Sequence, residues 1–323
     1  MNLLSNTTTL IGETATEIIS VVIPTLSRQA SLKRAINSVL SQRLPADVRL
    51  EIIVIDNSDD ANSRTLVESL AHPSSPIKWL HETARGVANA RNTGVNAANG
   101  KWIAFLDDDE AASDVWLGSL LAVARSVGAD AVFGPISAEA DGGTIGPFAP
   151  YFCREIDRVD AQDITDLAAY LGTNNSMFLR QRCFTDGLPF DLSLNAIGGE
   201  DSLFLKQLVK GGRKFAWASD ARVIEWVSPK RLNWAYVRQR TFLSGQIRVF
   251  VYHMMKPVKW PRVVWWMGVG LAQCTIAGAG ALVMRLVNPI AAERARVVFS
   301  SGLGKVLWMP RFRPRLYGSG HVT

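Results

Sequence analysis

Three consecutive carboxylates, Asp107, Asp108 and Asp109, follow an apolar segment from Trp102 to Leu106. The apolar segment predicts a buried strand, and α/β sheets bind ligands beyond the carboxyl ends of their strands. Adjacent carboxylates repel each other, so such a cluster commonly persists because a cation neutralises it. We expect Asp107 and Asp109 to lie on one side of the backbone and bind a divalent metal that holds a phosphorylated substrate, with Asp108 directed elsewhere. The alternative is a solvated acidic turn that caps the next helix.

A second acidic pair, Glu200 and Asp201, follows two glycines and opens a segment with helical spacing that ends at Gly211. A carboxylate placed beside an acceptor hydroxyl can act as a general base, which gives one of the two a catalytic role. Acidic residues are also favourable at a helix N-terminus, so helix capping alone is the alternative interpretation.

Strand and helix patterns alternate between these two acidic segments and the start of the chain. The predicted strands are 18–23, 51–55, 77–80, 102–106 and 131–133, and the predicted helices include 32–40, 62–70, 87–98, 117–124 and 203–210. Ser31, Asn62 and Ser113 or Asp114 are predicted N-caps, and Gly100 suits a C′ position. The alternation predicts a three-layer α/β fold with a mostly parallel sheet. Residues 134–166 lack periodicity and predict a substrate-facing loop.

Charge is divided unevenly along the chain. Residues 1–228 hold 20 basic and 28 acidic residues, whereas residues 229–323 hold 15 basic residues and 1 acidic residue. The basic segment is also rich in aromatic and aliphatic residues, which favours an anionic membrane surface over nucleic acid as its partner. No glycine-rich phosphate loop is present, so a bound phosphate must be held by a metal and side chains. Three cysteines without metal-ligand spacing and the polar N-terminus indicate a cytoplasmic location.

An uncharged segment of 22 residues lies within the basic region, from Val263 to Met284. As a helix it reaches roughly 33 Å, about the thickness of a bilayer core. Basic residues flank it on both sides, whereas the positive-inside rule places them on one side of a spanning helix. We therefore favour an interfacial or re-entrant helix pair over a membrane span, with four tryptophans as interface anchors. These are Trp260, Trp265, Trp266 and Trp308.

The combined motifs identify a family. The segments ISVVIPTLSR, VIDNS, RGVANARNTGVNAANGKWIAFLDDD and GLPFDLSLNAIGGED, in this order and spacing, resemble family 2 glycosyltransferases of the GT-A fold. Residues 228–245 resemble the basic segment of exopolysaccharide transferases of the succinoglycan type. The resemblance implies a GT-A domain at 18–228. The polar composition of residues 1–17 predicts a flexible arm, and the basic and apolar composition of residues 229–323 predicts a membrane-associating region.

The resemblance also implies the roles of individual residues. Asp107 and Asp109 match the family's metal-binding DxD pair, which takes Mg²⁺ or Mn²⁺, and Asp201, beside Glu200, matches the catalytic base. Nucleotide-sugar binding is implied for Pro24, Thr25, Asp56, Asn57, Arg85, Arg91, Asp107, Asp108, Arg238 and Arg240. Many relatives have a second Asp at the position of Asn57. Contact with anionic lipid is the alternative for Arg238 and Arg240.

The activity implied is transfer of a sugar from a nucleotide-diphosphate sugar, expected to be a UDP-sugar, to a hydroxyl of a lipid-linked oligosaccharide. The family does this in one in-line displacement that inverts the anomeric carbon, in bacterial polysaccharide synthesis at the cytoplasmic face of the inner membrane. A polyprenyl-phosphate glycosyltransferase remains an alternative, although an acceptor phosphate needs no strong base. A scaffold with a decayed transferase domain is a further alternative.

Overall fold

The computed structural model describes residues 17–71, 77–185, 187–195 and 198–312, so the predicted N-terminal arm lies almost wholly outside it. The strands in chain order are β1 (Glu17–Thr25), β2 (Val48–Asp56), β3 (Ile77–His81), β4 (Trp102–Phe105), β5 (Glu110–Ala112), β6 (Ala131–Phe133), β7 (Ile136–Ala140), β8 (Ser176–Leu179), β9 (Phe215–Trp217) and β10 (Val223–Val227). The helices are α1 (Gln29–Leu40), α2 (Arg64–Ser69), α3 (Val87–Ala97), α4 (Trp116–Val127), α5 (Arg180–Cys183), α6 (Glu200–Lys210), α7 (Trp234–Met254), α8 (Trp260–Met284) and α9 (Pro289–Val306).

The main sheet has seven strands in the order β3-β2-β1-β4-β8-β6-β9. Strands β1 to β4 pair in parallel, whereas β8 runs antiparallel to both β4 and β6. Alternate residues of β1 face opposite sides, so that Val21 packs with α1 and α4 while Val22 packs with α3. Both faces of the sheet are therefore covered by helices, which confirms the predicted three-layer α/β fold.

A smaller sheet of three strands, β5-β10-β7, stands beside the main one. Strand β7 and a 3₁₀ helix at Gly146–Tyr151 both lie in the segment predicted to be a loop, so that prediction was wrong in part. Residues of β7 alternate between buried and exposed over only five positions, which is too short a pattern to separate from an irregular segment.

Helix boundaries also differ from the prediction. Helices α1, α2 and α4 follow Arg28, Ser63 and Val115, so none of the predicted N-caps occupies the N-cap position. Tertiary contacts set these starts instead: the backbone N–H of Ser113, for example, donates to the carbonyl of Arg222 beside the small sheet. Gly100 is not a C′ residue, because the C-cap of α3 is Ala98 and the C′ position is therefore Asn99. Gly100 instead allows close packing. A Cβ there would lie 2.7 Å from the carbonyl oxygen of Ile18 and from Ser20 Oγ.

The chain after β10 folds back onto the α/β body as three helices. Helix α7 contributes Val237 and Val251 to apolar clusters shared with the body, and α9 packs closely along both α7 and α8. Helix α8 is continuous over 25 residues, so the structure contains no re-entrant break in Val263–Met284. Within the described residues, α8 alone is long and apolar enough to cross a membrane, judged by length and composition.

One side of α8 and the turn that follows it expose large apolar side chains. They are Trp260, Val264, Trp265, Leu271, Ile276, Leu282, Val283, Met284, Leu286 and Val287. The opposite side buries Val263, Gly270, Ala277 and Ala281 against the neighbouring helices. The expectation for the tryptophans is corrected in part, because Trp308 is buried and Trp266 packs in the same apolar cluster.

Candidate active site

The acidic triplet lies where β1 and β4 meet. These strands are neighbours in the main sheet, and ligands of α/β sheets bind in a crevice beyond the carboxyl ends of such strands. Thr25 ends β1, and its hydroxyl donates to Asp108 Oδ2 at 2.7 Å. Asp108 is buried, and burial raises its pKa to about 7. It therefore joins the two strand ends and does not face the crevice.

Asp109 is held by two arginines. Its Oδ2 accepts from Arg28 Nη1 at 2.9 Å and from Arg231 Nη1 at 3.0 Å. The same Arg28 nitrogen donates to Asp108 Oδ1 at 3.1 Å. Asp108 and Asp109 thus share one guanidinium. That Asp107 and Asp109 together bind a metal stays a prediction.

Asp107 is the most exposed carboxylate of the triplet, with 35% of its side chain accessible. Its surroundings are mostly protein, and the resulting desolvation, together with Asp109 and Asp201, raises its pKa against the opposing effect of Arg91. Its backbone N–H donates to Glu110 Oε2 at 3.0 Å. The carboxylate thus faces the crevice in an environment that disfavours its charge.

Arg91 connects the triplet to the second acidic pair. This buried residue of α3 donates through Nη1 to Glu200 Oε1 at 2.5 Å, and its Nη2 lies 3.5 Å from Asp107 Oδ1. Residues far apart in sequence are therefore gathered into one charged cluster. A nucleotide that contacts Arg91, as predicted, must compete with these two carboxylates for the guanidinium group.

Glu200 and Asp201 have different environments. Glu200 is buried, and burial raises its pKa to about 7. Asp201 is partly exposed, and Gly172 packs beside it so closely that a Cβ there would lie 3.1 Å from Asp201 Oδ2. Gly198 and Gly199 approach α6 with φ of 79° and 94°, which glycine adopts at little cost. Glu200 thus fixes Arg91, and Asp201 is the carboxylate available to a substrate.

Three arginines of the site were not assigned roles from the sequence. Arg28 follows β1, Arg231 follows β10 and also donates to Glu225 Oε1 at 2.8 Å, and Arg154 lies between the two sheets. Arg154 donates to the carbonyls of Gly134 and Asn174, and burial lowers its pKa to about 10. Only the position of Arg28 in the motif IPTLSR offered a signal, since these pairings depend on tertiary structure.

The predicted nucleotide loop is held by its own side chains. Asp56 is buried and accepts hydrogen bonds from the backbone and hydroxyl groups of Ser58 and Ser63. Asn57 donates to the carbonyls of Glu82 and Ala84 and accepts from the N–H of Gly86. These two side chains therefore fix the conformation of the loop. Either of them can hydrogen-bond to a nucleobase only if its hydrogen bonds within the loop break.

The remaining predicted residues occupy three different environments. Pro24 lies within β1, opposite Ile55 of β2, and the exposed Arg85 pairs with Asp59 through Nε at 2.7 Å. Arg238 pairs with Glu293 of α9.

Arg240 lies nearer to the crevice. Its guanidinium carbon is 4.8 Å from the centroid of the Phe152 ring, which Arg231 also contacts. The structure therefore brings Arg240, but not Arg238, towards the acidic cluster.

Comparison with known proteins gives a consistent match. The family model described as Glycosyl transferase family 2 matches residues 20–181. The succinoglycan biosynthesis protein ExoM of Rhizobium meliloti is 34% identical over 223 residues, which are 68% of this chain and 70% of that protein. The UDP-Glc:alpha-D-GlcNAc-diphosphoundecaprenol beta-1,3-glucosyltransferase WfgD of Escherichia coli is 35% identical over 105 residues, 32% of this chain and 38% of that protein.

A solved structure has the same fold. The mannosyltransferase PcManGT of Pyrobaculum calidifontis, in complex with GDP-Man and Mn²⁺, aligns with a TM-score of 0.59 and 20% identity. The alignment covers 91% of this chain and 88% of that one. At this identity the likeness establishes the fold, which is GT-A as predicted.

Replacing Glu200 should destabilise the protein more than replacing Asp201. In Glu200→Ala, Arg91 keeps a buried charge without its main partner, which costs about 3–5 kcal/mol of unfolding free energy. Asp201→Ala removes a partly exposed group and should cost about 1 kcal/mol or less. Urea denaturation of both variants measures the difference. Equal losses would contradict the separation of a structural Glu200 from an accessible Asp201.

Proposed function

Because the chain belongs to glycosyl transferase family 2, we propose that it transfers a sugar, with inversion, from a UDP-sugar to a hydroxyl group of a lipid-linked oligosaccharide. The relatives support the substrate classes: one takes part in succinoglycan biosynthesis, and the name of another specifies a UDP-sugar donor and a diphosphoundecaprenol acceptor. We propose uracil as the nucleobase of the donor on the basis of these names and of the sequence resemblance.

The observation that carries the proposal is the double contact of Arg91 with Glu200 and Asp107. A single side chain spans the distance between the acidic loop after β4 and the start of α6. A donor diphosphate bound at the loop therefore has its sugar close to Asp201. This is the arrangement that a single displacement requires, with a base on one side of the sugar and the leaving group on the other.

Asp201 acts in this proposal as the general base. It takes the proton of the acceptor hydroxyl as the oxygen attacks the anomeric carbon and the bond to the nucleoside diphosphate breaks. Arg91 and Arg231 hold the surrounding carboxylates, so the acidic groups keep their positions as negative charge moves to the leaving group. Glu200 serves the reaction by positioning Arg91.

A divalent cation, Mg²⁺ or Mn²⁺, fits this donor set. No group of three or more His, Cys, Asp or Glu with metal-binding geometry occurs in the described ranges, so the donor diphosphate and water would supply the further ligands. Asp107 offers an accessible carboxylate whose raised pKa reflects an unfavourable charge. Asp109 would be the second ligand, for which the cation competes with the two arginines on its Oδ2. Carboxylates and phosphates are the ligands that both ions prefer. When bound, the cation neutralises charge on the departing diphosphate.

The region after Ser228 is proposed to hold the enzyme on the cytoplasmic face of the inner membrane, with residues 18–228 as the catalytic domain. The exposed apolar side of α8 and the surrounding basic residues suit an anionic leaflet. Helix α9 packs along α8 and carries Glu293, Arg294 and Arg296. A spanning α8 would draw these charges into hydrocarbon, so an interfacial position is favoured.

Replacing Asp201 should separate binding from catalysis. Asp201→Asn keeps the shape of the side chain but cannot take a proton, so transfer should fall by roughly two or more orders of magnitude while donor affinity is retained. Radiolabelled UDP-sugar incubated with membranes, followed by lipid extraction, measures the transfer. Label on a bare polyprenyl phosphate would favour the alternative acceptor. Near wild-type transfer by the variant would remove Asp201 from the mechanism.

Donor binding should require the divalent cation. We expect EDTA, and separately Asp107→Asn, to weaken UDP binding by roughly tenfold or more, because a charged ligand is lost from the site. Glu139→Gln, an exposed acidic position on β7, is the matched control and should bind normally. Calorimetry with UDP and Mn²⁺ gives the affinities. An affinity that is the same with and without EDTA would refute the metal site.

Membrane attachment should depend on the apolar side of α8. The double variant Leu271→Asp and Ile276→Asp should float poorly with phosphatidylglycerol vesicles, whereas Val127→Asp, at an exposed apolar position of α4, should float normally. High salt should release part of the wild-type protein, because electrostatic attraction to the lipid is screened. Full resistance to salt and to alkaline carbonate, with residues after Arg285 open to protease from the periplasmic side, would indicate a span instead.

A further inference from the structure

Two half-buried cations, Lys206 of α6 and Arg248 of α7, lie close together without a carboxylate partner. Neither forms a salt bridge with any residue of the described ranges, and both rest on aromatic rings. Lys206 Nζ is 4.7 Å from the centroid of the Tyr252 ring, and the guanidinium carbon of Arg248 is 4.4 Å from that of Tyr170 and 5.3 Å from that of Trp266. Burial and the charge of Arg248 lower the pKa of Lys206 to about 8.

The cluster also contains donors that have no acceptor. Arg248 Nη1 and Trp266 Nε1 are both buried, and neither forms a hydrogen bond with a residue that the structure describes. A buried donor left unsatisfied costs about 1–3 kcal/mol, more when it is charged, and two like charges at close range add to this cost. The contacts with aromatic rings offset part of this cost. An anion bound between the donors would satisfy the two cations and the indole together.

The cluster lies between the catalytic carboxylate and the apolar helix. Helices α6 and α7 run side by side in the same direction, since Gly199 contacts Ile247 and Lys210 Nζ donates to the carbonyl of Lys256 at 2.7 Å. Lys206 follows Asp201 by five residues, about 7.5 Å along the helix axis. On the other side of the cluster, Trp266 belongs to α8, whose apolar side is exposed.

We propose that Lys206, Arg248 and Trp266 bind the diphosphate of the lipid-linked acceptor, an inference that rests on the proposed function. An acceptor of this class has a sugar at one end of its diphosphate and a lipid at the other. With the diphosphate on the cluster, the sugar extends towards Asp201 and the lipid follows the apolar side of α8. A guanidinium donates to phosphate oxygens in a planar fork, and an ammonium adds a point charge, so the pair suits a diphosphate better than a neutral headgroup.

The test is binding of farnesyl diphosphate to the full chain in neutral detergent, measured by calorimetry. Lys206→Gln and Arg248→Gln should each weaken binding by tenfold or more, and farnesol should not bind. Lys210→Gln is the matched control, because this lysine lies on the same helix and donates to a backbone carbonyl outside the cluster. Lys206→Arg retains the charge and should restore most of the affinity. Unchanged UDP affinity in each variant excludes misfolding, as does a melting temperature that is unchanged or raised. A rise is expected for the glutamine variants, because each removes an unpaired, half-buried charge.

Further measurements distinguish the acceptor diphosphate from free pyrophosphate and from bulk phospholipid. They also distinguish failure of this inference from failure of the proposed function. Inorganic pyrophosphate should bind more weakly than farnesyl diphosphate but with the same dependence on Lys206. Displacement of farnesyl diphosphate by an equal concentration of phosphatidylglycerol would assign the cluster to bulk lipid and overturn the inference. Unchanged binding in both glutamine variants would also overturn it. Either result leaves sugar transfer intact, whereas loss of transfer to every lipid acceptor in the wild-type protein would count against the proposed function itself.

Discussion

The site depends on a buried ion pair, Arg91 with Glu200, which connects α3 to the start of α6. Asp107, Asp109, Glu110 and Glu225 gather at the carboxyl end of the sheet, where burial raises the pKa values of Asp107, Glu110 and Glu225. Carboxylates in such surroundings either take up protons or need nearby cations. Arg28, Arg91, Arg154 and Arg231 supply that charge from four separate parts of the chain.

Because the buried carboxylates need nearby cations, the C-terminal region also has a role in the site. Arg231 lies after β10 yet contacts Asp109, and Val237 and Val251 complete apolar clusters of the body. The segment therefore contributes to the candidate site as well as to the region proposed to attach to the membrane. Removing residues 229–323 would expose apolar surface and leave Asp109 with one arginine, so membrane attachment is better tested by changes on the outer side of α8.

Much of the fold could be predicted because its central strands are continuous apolar runs. Strands β1, β2, β3 and β6 and helices α3 and α6 lie within a few residues of their predicted positions, since hydrophobic periodicity reports burial directly. Strand β8 was missed, as were the short strands of the small sheet. These strands have three to five residues, and their stability comes from partners distant in sequence. The predictions of N-cap residues were wrong for a similar reason, because tertiary contacts replaced local capping.

The candidate site was predictable as a set of residue types but not as a set of contacts. Asp107, Asp109 and Asp201 were recognised from their motifs, and their roles remain predictions. The pairing of Asp108 with Thr25 and Arg28, and the closed hydrogen-bond networks of Asp56 and Asn57, depend on chain segments that meet only in the folded protein. Sequence spacing carries no information about such pairings.

The central claim is that Asp201 promotes a single displacement at the anomeric carbon, and the configuration of the product tests it most directly. An α-linked UDP-sugar should yield only the β-linked product, because one attack opposite the leaving group inverts the anomeric centre. Proton NMR of the saccharide released from the lipid identifies the anomer through its coupling constant. An α-linked product would show retention and contradict the role of Asp201 as the base of a one-step transfer.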